Sequence, residues 1–255
     1  MTHRSVMAHM IPFYPDLTRS ERVAEALVAG GADYLEIQFP YSDPTADGPA
    51  IQAACATALN RGFRVAQGWE FLDRLASRSA RAPVFLMSYA GLVFNYGVER
   101  FVATAGEHGV TGLIVPDLPI DSDEGLFAAG ERHGVSVVPV IALGAGEERL
   151  RLVEGSGARY IYAALRRGIT GSHTEIGAEN GAFVDRLAAT GATVMAGFGI
   201  ATRVQVEAVL EHAQTAVVGS AFVRAITDAA GRNEDPYGPV RSLVEDLSGG
   251  VAATG

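Results

Sequence analysis

Short apolar runs alternate with longer amphipathic segments along almost the whole chain. Eight runs are rich in apolar and β-branched residues, and we predict strands at MAHMIPF, DYLEIQF, VFLMSY, TGLIVPD, SVVPVIAL, RYIYAAL, TVMAGFG and TAVVGSA. Most of these runs are continuously apolar rather than alternating. That pattern is typical of parallel strands that are covered by helices on both faces.

The segments between the strands have apolar residues at three- and four-residue spacing, which predicts helices. Six predicted helices end at a glycine, the residue that a helix C-terminus commonly needs: Gly30, Gly62, Gly109, Gly134, Gly157 and Gly191. Eight strand and helix units in 255 residues predict an α/β fold, a single (β/α)8 TIM barrel over residues 1–247. We expect residues 248–255 to be a disordered tail. A doubly wound open sheet is the structural alternative, because periodicity alone does not distinguish the two folds.

Composition narrows the classes of partner. The formal net charge is −9 and no run of basic residues is present, which argues against nucleic acid as a partner. Pro12 and Pro15 interrupt the N-terminal apolar run well before the roughly 20 residues that span a membrane, so we predict no membrane association.

The cysteine and histidine content bears on compartment and metals. A single cysteine, Cys55, excludes an intrachain disulfide and fits a reducing compartment, so we predict a cytoplasmic protein. Cys55 lies among small residues of a helix and is interpreted as a packed core thiol rather than a catalytic one. We interpret His9 and His212 as structural residues, and no spacing of His, Asp and Glu indicates a metal site.

Two acidic residues of interest lie in the stretch LEIQFPYSDPTADGPAIQ, one within the second predicted strand and one after it. Glu36 lies within the strand and is predicted to point into the barrel, where a carboxylate suits acid–base chemistry if it is hydrogen-bonded. Asp47 lies in the following loop, among turn-forming residues that would return it to the barrel mouth. The structural alternatives stay open: Glu36 reaching water at the strand end, and Asp47 belonging to an ordinary Asp-Gly turn.

Glycines at the ends of the last two predicted strands indicate an anion site. Gly199 follows the seventh strand, and Gly219 and Ser220 follow the eighth and begin a short helix pattern. Free backbone N–H groups at such a helix N-terminus favour a phosphate group, although strand-end glycines also occur in ordinary turns. The long connection at residues 166–180 is rich in Gly, Ser and Thr and is predicted to be a lid or binding loop. Tyr89 and Tyr162, at strand ends, either line an aromatic pocket or pack in the core.

Several motifs, in order over roughly residues 7–228, resemble the tryptophan synthase α-subunit family: LEIQFPYSDPTADGPAIQ, LMSYAGLVFNYG, IVPDLP, YIYAALRRGITG, GFGI and VVGSAFV. The resemblance implies retro-aldol cleavage of indole-3-glycerol phosphate to indole and glyceraldehyde 3-phosphate, without a metal or organic cofactor. It implies that Glu36 is the general acid–base and that Asp47 binds the indole N–H. The other positions that it implies are substrate contacts at Phe13, Tyr162 and Thr170, and phosphate contacts at Gly171, Gly199, Gly219 and Ser220.

The resemblance also implies a partner, the β-subunit of tryptophan synthase, in an α2β2 complex. The sequence departs from the family at Gln38, where the family usually has Gly, at Gly91, where it usually has Asn, and in a shorter first loop. Three other readings stay open: a stand-alone indole-3-glycerol phosphate lyase, a non-catalytic barrel that binds a phosphate ligand or the β-chain, and another phosphate-binding barrel enzyme.

Overall fold

A computed structural model describes residues 4–78, 82–165, 177–197 and 199–249 of the chain. The described strands are β1 (Ser5–Met10), β2 (Tyr34–Gln38), β3 (Val84–Met87), β4 (Val110–Ile114), β5 (Ser136–Val138), β6 (Val140–Ala142), β7 (Tyr160–Ala164), β8 (Thr193–Gly197) and β9 (Thr215–Val218). The strands form one sheet in the order β5-β4-β3-β2-β1-β9-β8-β7-β6, and every pair is parallel.

Helices connect the strands. In the described ranges they are α1 (Leu17–Ala29), α2 (Pro49–Asn60), α3 (Val65–Arg78), α4 (Ala90–Tyr96), α5 (Val98–Glu107), α6 (Leu126–His133), α7 (Glu147–Glu154), α8 (Ala178–Ala188), α9 (Arg203–Leu210), α10 (Ser220–Gly231) and α11 (Tyr237–Ser248), with a short 3-10 turn at Ile120–Ser122.

The two outer strands of the sheet, β5 and β6, are the two halves of one predicted strand, SVVPVIAL. Pro139 separates them because it has no N–H to donate to a neighbouring strand. The first half pairs with β4 and the second with β7. The Pro139 carbonyl accepts a hydrogen bond of 2.9 Å from the Tyr162 N–H, which continues the ladder across the break. The sheet therefore closes into an eight-stranded TIM barrel, as predicted, and the open-sheet alternative is wrong.

Residues of the strands alternate between the barrel interior and the layer under the helices. In β1, Val6, Ala8 and Met10 pack in the outer core, whereas Met7 packs in the interior cluster. The same alternation in β2 places Leu35 and Ile37 outside. The period of two therefore sends His9 and Glu36 into the barrel.

Large side chains fill the lower barrel. The Phe85 ring meets the Tyr160 ring edge to face at 5.0 Å between centroids and the Tyr34 ring at 5.6 Å. Met7 and Met195 lie in the same buried cluster. The barrel interior is therefore a packed core toward the N-terminal ends of the strands. A cavity can open only at their C-terminal ends.

Two helices were not predicted from the pattern, α4 and α11. The C-terminal helix α11 continues to Ser248, one residue beyond the predicted domain end, and residues 250–255 of the predicted tail lie outside the described ranges. Helix α11 packs against the end of α1, where a Cβ on Gly30 would lie 2.7 Å from the Val244 Cβ.

Gly30 is thus required for close packing rather than for a left-handed turn. Its φ is −79°, whereas the next residue, Gly31, has a φ of +95°. The other five predicted helix-ending glycines do have positive φ.

Candidate active site

A cavity opens at the C-terminal ends of the strands, where active sites of this fold lie. The empty space in it is about 630 Å³, which includes open solvent at the mouth. The residues that line it include His9, Glu36, Asp47, Tyr162, Gly199, Gly219 and Ser220. Six predicted site residues therefore line the cavity, and His9 joins them.

Glu36 is held by its neighbour on the adjacent strand. The register of β1 and β2 pairs His9 with Glu36, and both side chains enter the cavity. Glu36 is 4% exposed, and its Oε2 lies 2.9 Å from His9 Nδ1. The inward orientation that was predicted for Glu36 is the one that the structure has, and a hydrogen bond satisfies the buried carboxyl group.

Asp47 returns over the barrel from the loop after β2, as the turn-rich sequence predicted. It is 5% exposed, and its Oδ2 accepts hydrogen bonds of 2.7 Å from Tyr89 Oη and 2.7 Å from Gln38 Nε2. Burial raises the pKa of Asp47 above its usual value, against the opposing effects of His9 and of these two donors. The other oxygen, Oδ1, makes no hydrogen bond to the described residues. The carboxyl group is therefore anchored through Oδ2.

Tyr89 stabilises the loop that carries Asp47. It is fully buried, and its hydroxyl group both donates to Asp47 and accepts a 3.1 Å hydrogen bond from the Ala46 N–H. The ring of Tyr41 stacks on the ring of Tyr89 at 5.2 Å between centroids. Burial and the Asp47 charge raise the pKa of Tyr89, which keeps the hydroxyl protonated and donating. Tyr89 therefore acts on the cavity through Asp47, and it does not line the cavity itself.

Tyr162 lines the cavity from β7, above the point where Pro139 breaks the ladder. A Cβ on Gly197 would lie 2.8 Å from Tyr162 Oη, so the glycine at the end of β8 makes room for this hydroxyl group. Burial, with smaller contributions from Glu36 and Asp47, raises the pKa of Tyr162 well above its usual value.

Another part of the cavity wall consists of glycines and a helix N-terminus. Gly199 has a φ of +77° in the loop after β8. Gly219 caps α10, a helix of twelve residues that begins at Ser220. No side-chain hydrogen bond caps this helix, so its first N–H groups can be offered to an anion.

Three other predicted contacts have different outcomes. Phe13 is buried against Phe63, with 5.7 Å between ring centroids, and it is not among the described residues that line the cavity. Thr170 and Gly171 lie outside the described residues, as does most of the predicted lid. Of that segment, α8 already includes residues 178–180.

Other chemistries find little support in the described part of the chain. Burial raises the pKa of the Cys55 thiol to about 12, as suits a packed thiol. Among the described residues, no group of three or more His, Cys, Asp or Glu side chains is arranged to hold a metal ion. No helix in these ranges is long and apolar enough to cross a bilayer.

Comparison with known proteins decides the family. The family model described as tryptophan synthase alpha chain matches residues 2–249. The chain belongs to the tryptophan synthase alpha chain family. The alpha chain of Desulfotalea psychrophila is 36% identical over 233 residues, 91% of each chain. That of Leifsonia xyli is 40% identical over 224 residues, which cover 86% of this chain and 85% of the relative.

Solved structures agree in fold. A structure of the tryptophan synthase α2β2 complex of Pyrococcus furiosus has a TM-score of 0.87 at 28% identity and covers 98% of this chain and 100% of that one. Mycobacterium tuberculosis tryptophan synthase gives 0.86 at 32% identity, with 98% and 93% covered.

Two residues at this tryptophan synthase alpha-type site were not predicted, His9 and Gln38. His9 was interpreted as structural, but it contacts Glu36 inside the cavity. Gln38, a departure from the family, donates to Asp47 and to Cys55 Sγ at 3.4 Å. The signal that could have found both is the strand period, since positions 36 and 38 share a face and His9 lies beside Glu36 on the neighbouring strand.

Proposed function

We propose that this chain cleaves indole-3-glycerol phosphate to indole and glyceraldehyde 3-phosphate, as the alpha chain of tryptophan synthase. One observation carries the proposal: two buried carboxyl groups, Glu36 and Asp47, face one cavity that the N-terminus of α10 also lines. The family assignment supports the same activity.

The reaction needs an acid at indole C3, because the C–C bond breaks only when the ring can accept the bond electrons. Protonation of C3 makes the ring an iminium-like electron acceptor. Glu36 is suited to this step because it is enclosed and already hydrogen-bonded by His9 through one oxygen, which leaves the other oxygen for the substrate. We therefore assign the acid–base role to Glu36.

Asp47 is assigned to the indole nitrogen. Positive charge develops there when C3 is protonated, and a carboxylate fixed in place stabilises that charge. Tyr89 and Gln38 hold Asp47 through Oδ2. The fixed position matters because an acceptor that is already oriented needs no reorganisation during the reaction.

The phosphate group is assigned to Gly199, Gly219 and Ser220. Free N–H groups at the start of α10 and the dipole of that helix both favour a dianion. Tyr162 lines the same cavity and is assigned to a substrate contact. Thr170 stays a predicted substrate contact and Gly171 a predicted phosphate contact. Phe13 and Tyr89 stay predictions too, although neither is among the described residues that line the cavity.

A β-subunit is the proposed macromolecular partner. The Pyrococcus furiosus protein of similar fold forms an α2β2 complex with mutual activation. We propose the same kind of assembly for this chain. We also propose one domain over residues 1–247, supported by the pairing of β1 with β9, and a cytoplasmic location, supported by the single cysteine.

The test is steady-state formation of indole from indole-3-glycerol phosphate by the purified chain, alone and with tryptophan synthase β-subunit added. Slow turnover that rises on addition of the β-subunit is the expected result. Rapid turnover that the β-subunit does not change would instead identify a stand-alone lyase. Absence of indole in both reactions would overturn the proposed activity.

A further inference from the structure

Among the described residues that line the cavity, His9 is a titratable side chain to which the assignments above give no proton transfer. It is 2% exposed, lies on β1 at the register position of Glu36, and lines the cavity. Its Nδ1 lies 2.9 Å from Glu36 Oε2. Its Nε2 is equally buried and has no hydrogen-bond partner among the described residues.

A histidine with only a structural role would be expected to satisfy both ring nitrogens, because a buried polar atom without a partner loses the hydrogen bonds that it would make to water. His9 also lies next to the predicted phosphate wall. A Cβ on Gly219 would lie 3.6 Å from His9 Cγ, so the imidazole ring lies beside the glycine that caps α10. The ring therefore stands between Glu36 and the predicted phosphate wall, where the glycerol part of the substrate would lie.

We propose that His9 is a catalytic residue of this chain, which takes the proton of the substrate hydroxyl group at Nε2 and relays a proton through Nδ1 to Glu36. The proposal rests on the proposed function. It adds a second proton carrier at that site, and it divides between two side chains the two proton transfers that the cleavage needs.

The proton and electron balance of the relay closes. Glu36 begins protonated and His9 begins neutral with its proton on Nδ1. Glu36 gives its proton to indole C3, and the ring nitrogen becomes an iminium. The C–C bond to the carbinol carbon then breaks, and its electron pair returns to the ring.

The hydroxyl O–H bond breaks in the same step, its electron pair forms the aldehyde C=O, and the proton passes to His9 Nε2. His9 Nδ1 returns a proton to Glu36 Oε2. The net result is transfer of the hydroxyl proton to C3, which is the stoichiometry of the cleavage. His9 ends with its proton on Nε2, and exchange with water at the open mouth restores the starting tautomer after the products leave.

The test separates this relay from a role in orienting Glu36. In His9→Asn, the amide nitrogen lies near the position of Nδ1 and can still donate to Glu36, but nothing occupies the position of Nε2. We expect kcat for indole formation to fall by about 100-fold or more, with KM changed by less than about threefold. In His9→Ala, added imidazole should restore kcat at least about tenfold by occupying the vacated space.

A matched control comes from the surface of the molecule. His212 also pairs through Nδ1 with a carboxylate, Asp185, at 2.9 Å, but it lies outside the cavity. His212→Asn should leave kcat unchanged and imidazole should have no effect on it. Thermal unfolding of each variant checks that the fold is retained.

Two results would overturn the relay alone: His9→Asn with kcat within about threefold of the unmodified chain, or His9→Ala that does not respond to imidazole. In both cases, cleavage by the unmodified chain would leave the proposed function standing. An unmodified chain that forms no indole would overturn the proposed function and the relay together.

Discussion

The two sides of the cavity are made from different parts of the polypeptide. One side, the acid wall, consists of the buried side chains of His9, Glu36 and Asp47. His9 is hydrogen-bonded to Glu36, and Asp47 accepts a hydrogen bond from Gln38, which does not itself line the cavity. The other side, the glycine wall, consists of Gly199, Gly219 and Ser220 and presents mainly backbone.

The difference follows from what each wall has to do. Proton transfer needs titratable groups at fixed positions, and adjacent strands with a period of two supply them. Binding of a phosphate needs N–H donors and close approach, and glycines before a helix supply these without a side chain in the way. Substitutions in the acid wall should therefore lower kcat, whereas substitutions in the glycine wall should raise KM.

The largest expected effect is that of Glu36→Gln. The amide keeps the size of the side chain and an oxygen that can accept from His9, but it cannot deliver a proton. We expect kcat to fall by about 1,000-fold or more with KM nearly unchanged. Steady-state kinetics with indole-3-glycerol phosphate would measure both constants. A variant that keeps a tenth of the original kcat would move the acid–base role away from Glu36.

Asp47→Asn should lower kcat by about 100-fold, because it removes the charge that stabilises the developing cation but keeps an acceptor for Tyr89 and Gln38.

The same substitution should also change the pH dependence of the protein's stability. Burial raises the pKa of Asp47, so the folded protein holds that proton more tightly than the unfolded chain. The contribution of Asp47 to the free energy of unfolding is complete below the pKa that Asp47 has in the unfolded chain. It is lost as the pH rises through the pKa that Asp47 has in the folded protein.

Asparagine does not titrate, so the Tm of Asp47→Asn relative to the original protein should increase between pH 4 and pH 8. Thermal unfolding at several pH values would measure it. A Tm difference that stays constant or shrinks over this interval would show that burial of Asp47 is not the dominant effect.

A charge in the glycine wall should affect binding instead. A Cβ on Gly219 would have ordinary contacts, 3.5 Å to Ile51 and 3.6 Å to His9, so the fold can accept a side chain there. Gly219→Asp should raise KM by about tenfold or more, since a carboxylate would face the phosphate group. Gly219→Asn, which has the same size and no charge, is the control. Equal KM values for the two variants would remove the phosphate from this wall.

The smallest effect is expected for Tyr89→Phe, which deletes one of the two donors to Asp47 without touching the cavity. We expect kcat to fall by about threefold to tenfold and stability by about 1–3 kcal/mol, the scale of the two hydrogen bonds that the Tyr89 hydroxyl group makes to Asp47 and Ala46. The double variant, Tyr89→Phe with Asp47→Asn, tests whether Tyr89 acts through Asp47. If Tyr89 acts through Asp47, the two effects will not add; additive losses would assign Tyr89 an independent role.

The sequence predicted the barrel and most of both walls because these depend on short-range patterns. Apolar runs and helical spacing gave the order of strands and helices, and strand-end glycines indicated the α10 site. Helix α11 was missed because Gly238 and Pro239 suggest a turn. Both residues lie in the first turn of the helix, where the missing N–H of proline has no cost.

What the sequence did not give were contacts between residues far apart in the chain. His9 and Gln38 each look ordinary in their own segments. Their importance comes from the strand register that places His9 beside Glu36 and from the loop that brings Asp47 to within 2.7 Å of Gln38. Predicting them requires the three-dimensional closure of the barrel, which a linear pattern does not specify.

Gly91 shows how such contacts constrain substitution. An ideal Cβ at this position would overlap with Tyr41 Oη, and the Tyr41 ring is stacked on the ring of Tyr89. Replacing Gly91 by the asparagine that the resemblance implies therefore requires Tyr41 to shift. Positions 91 and 41 are coupled in this chain, and a laboratory graft at position 91 would have to allow for position 41.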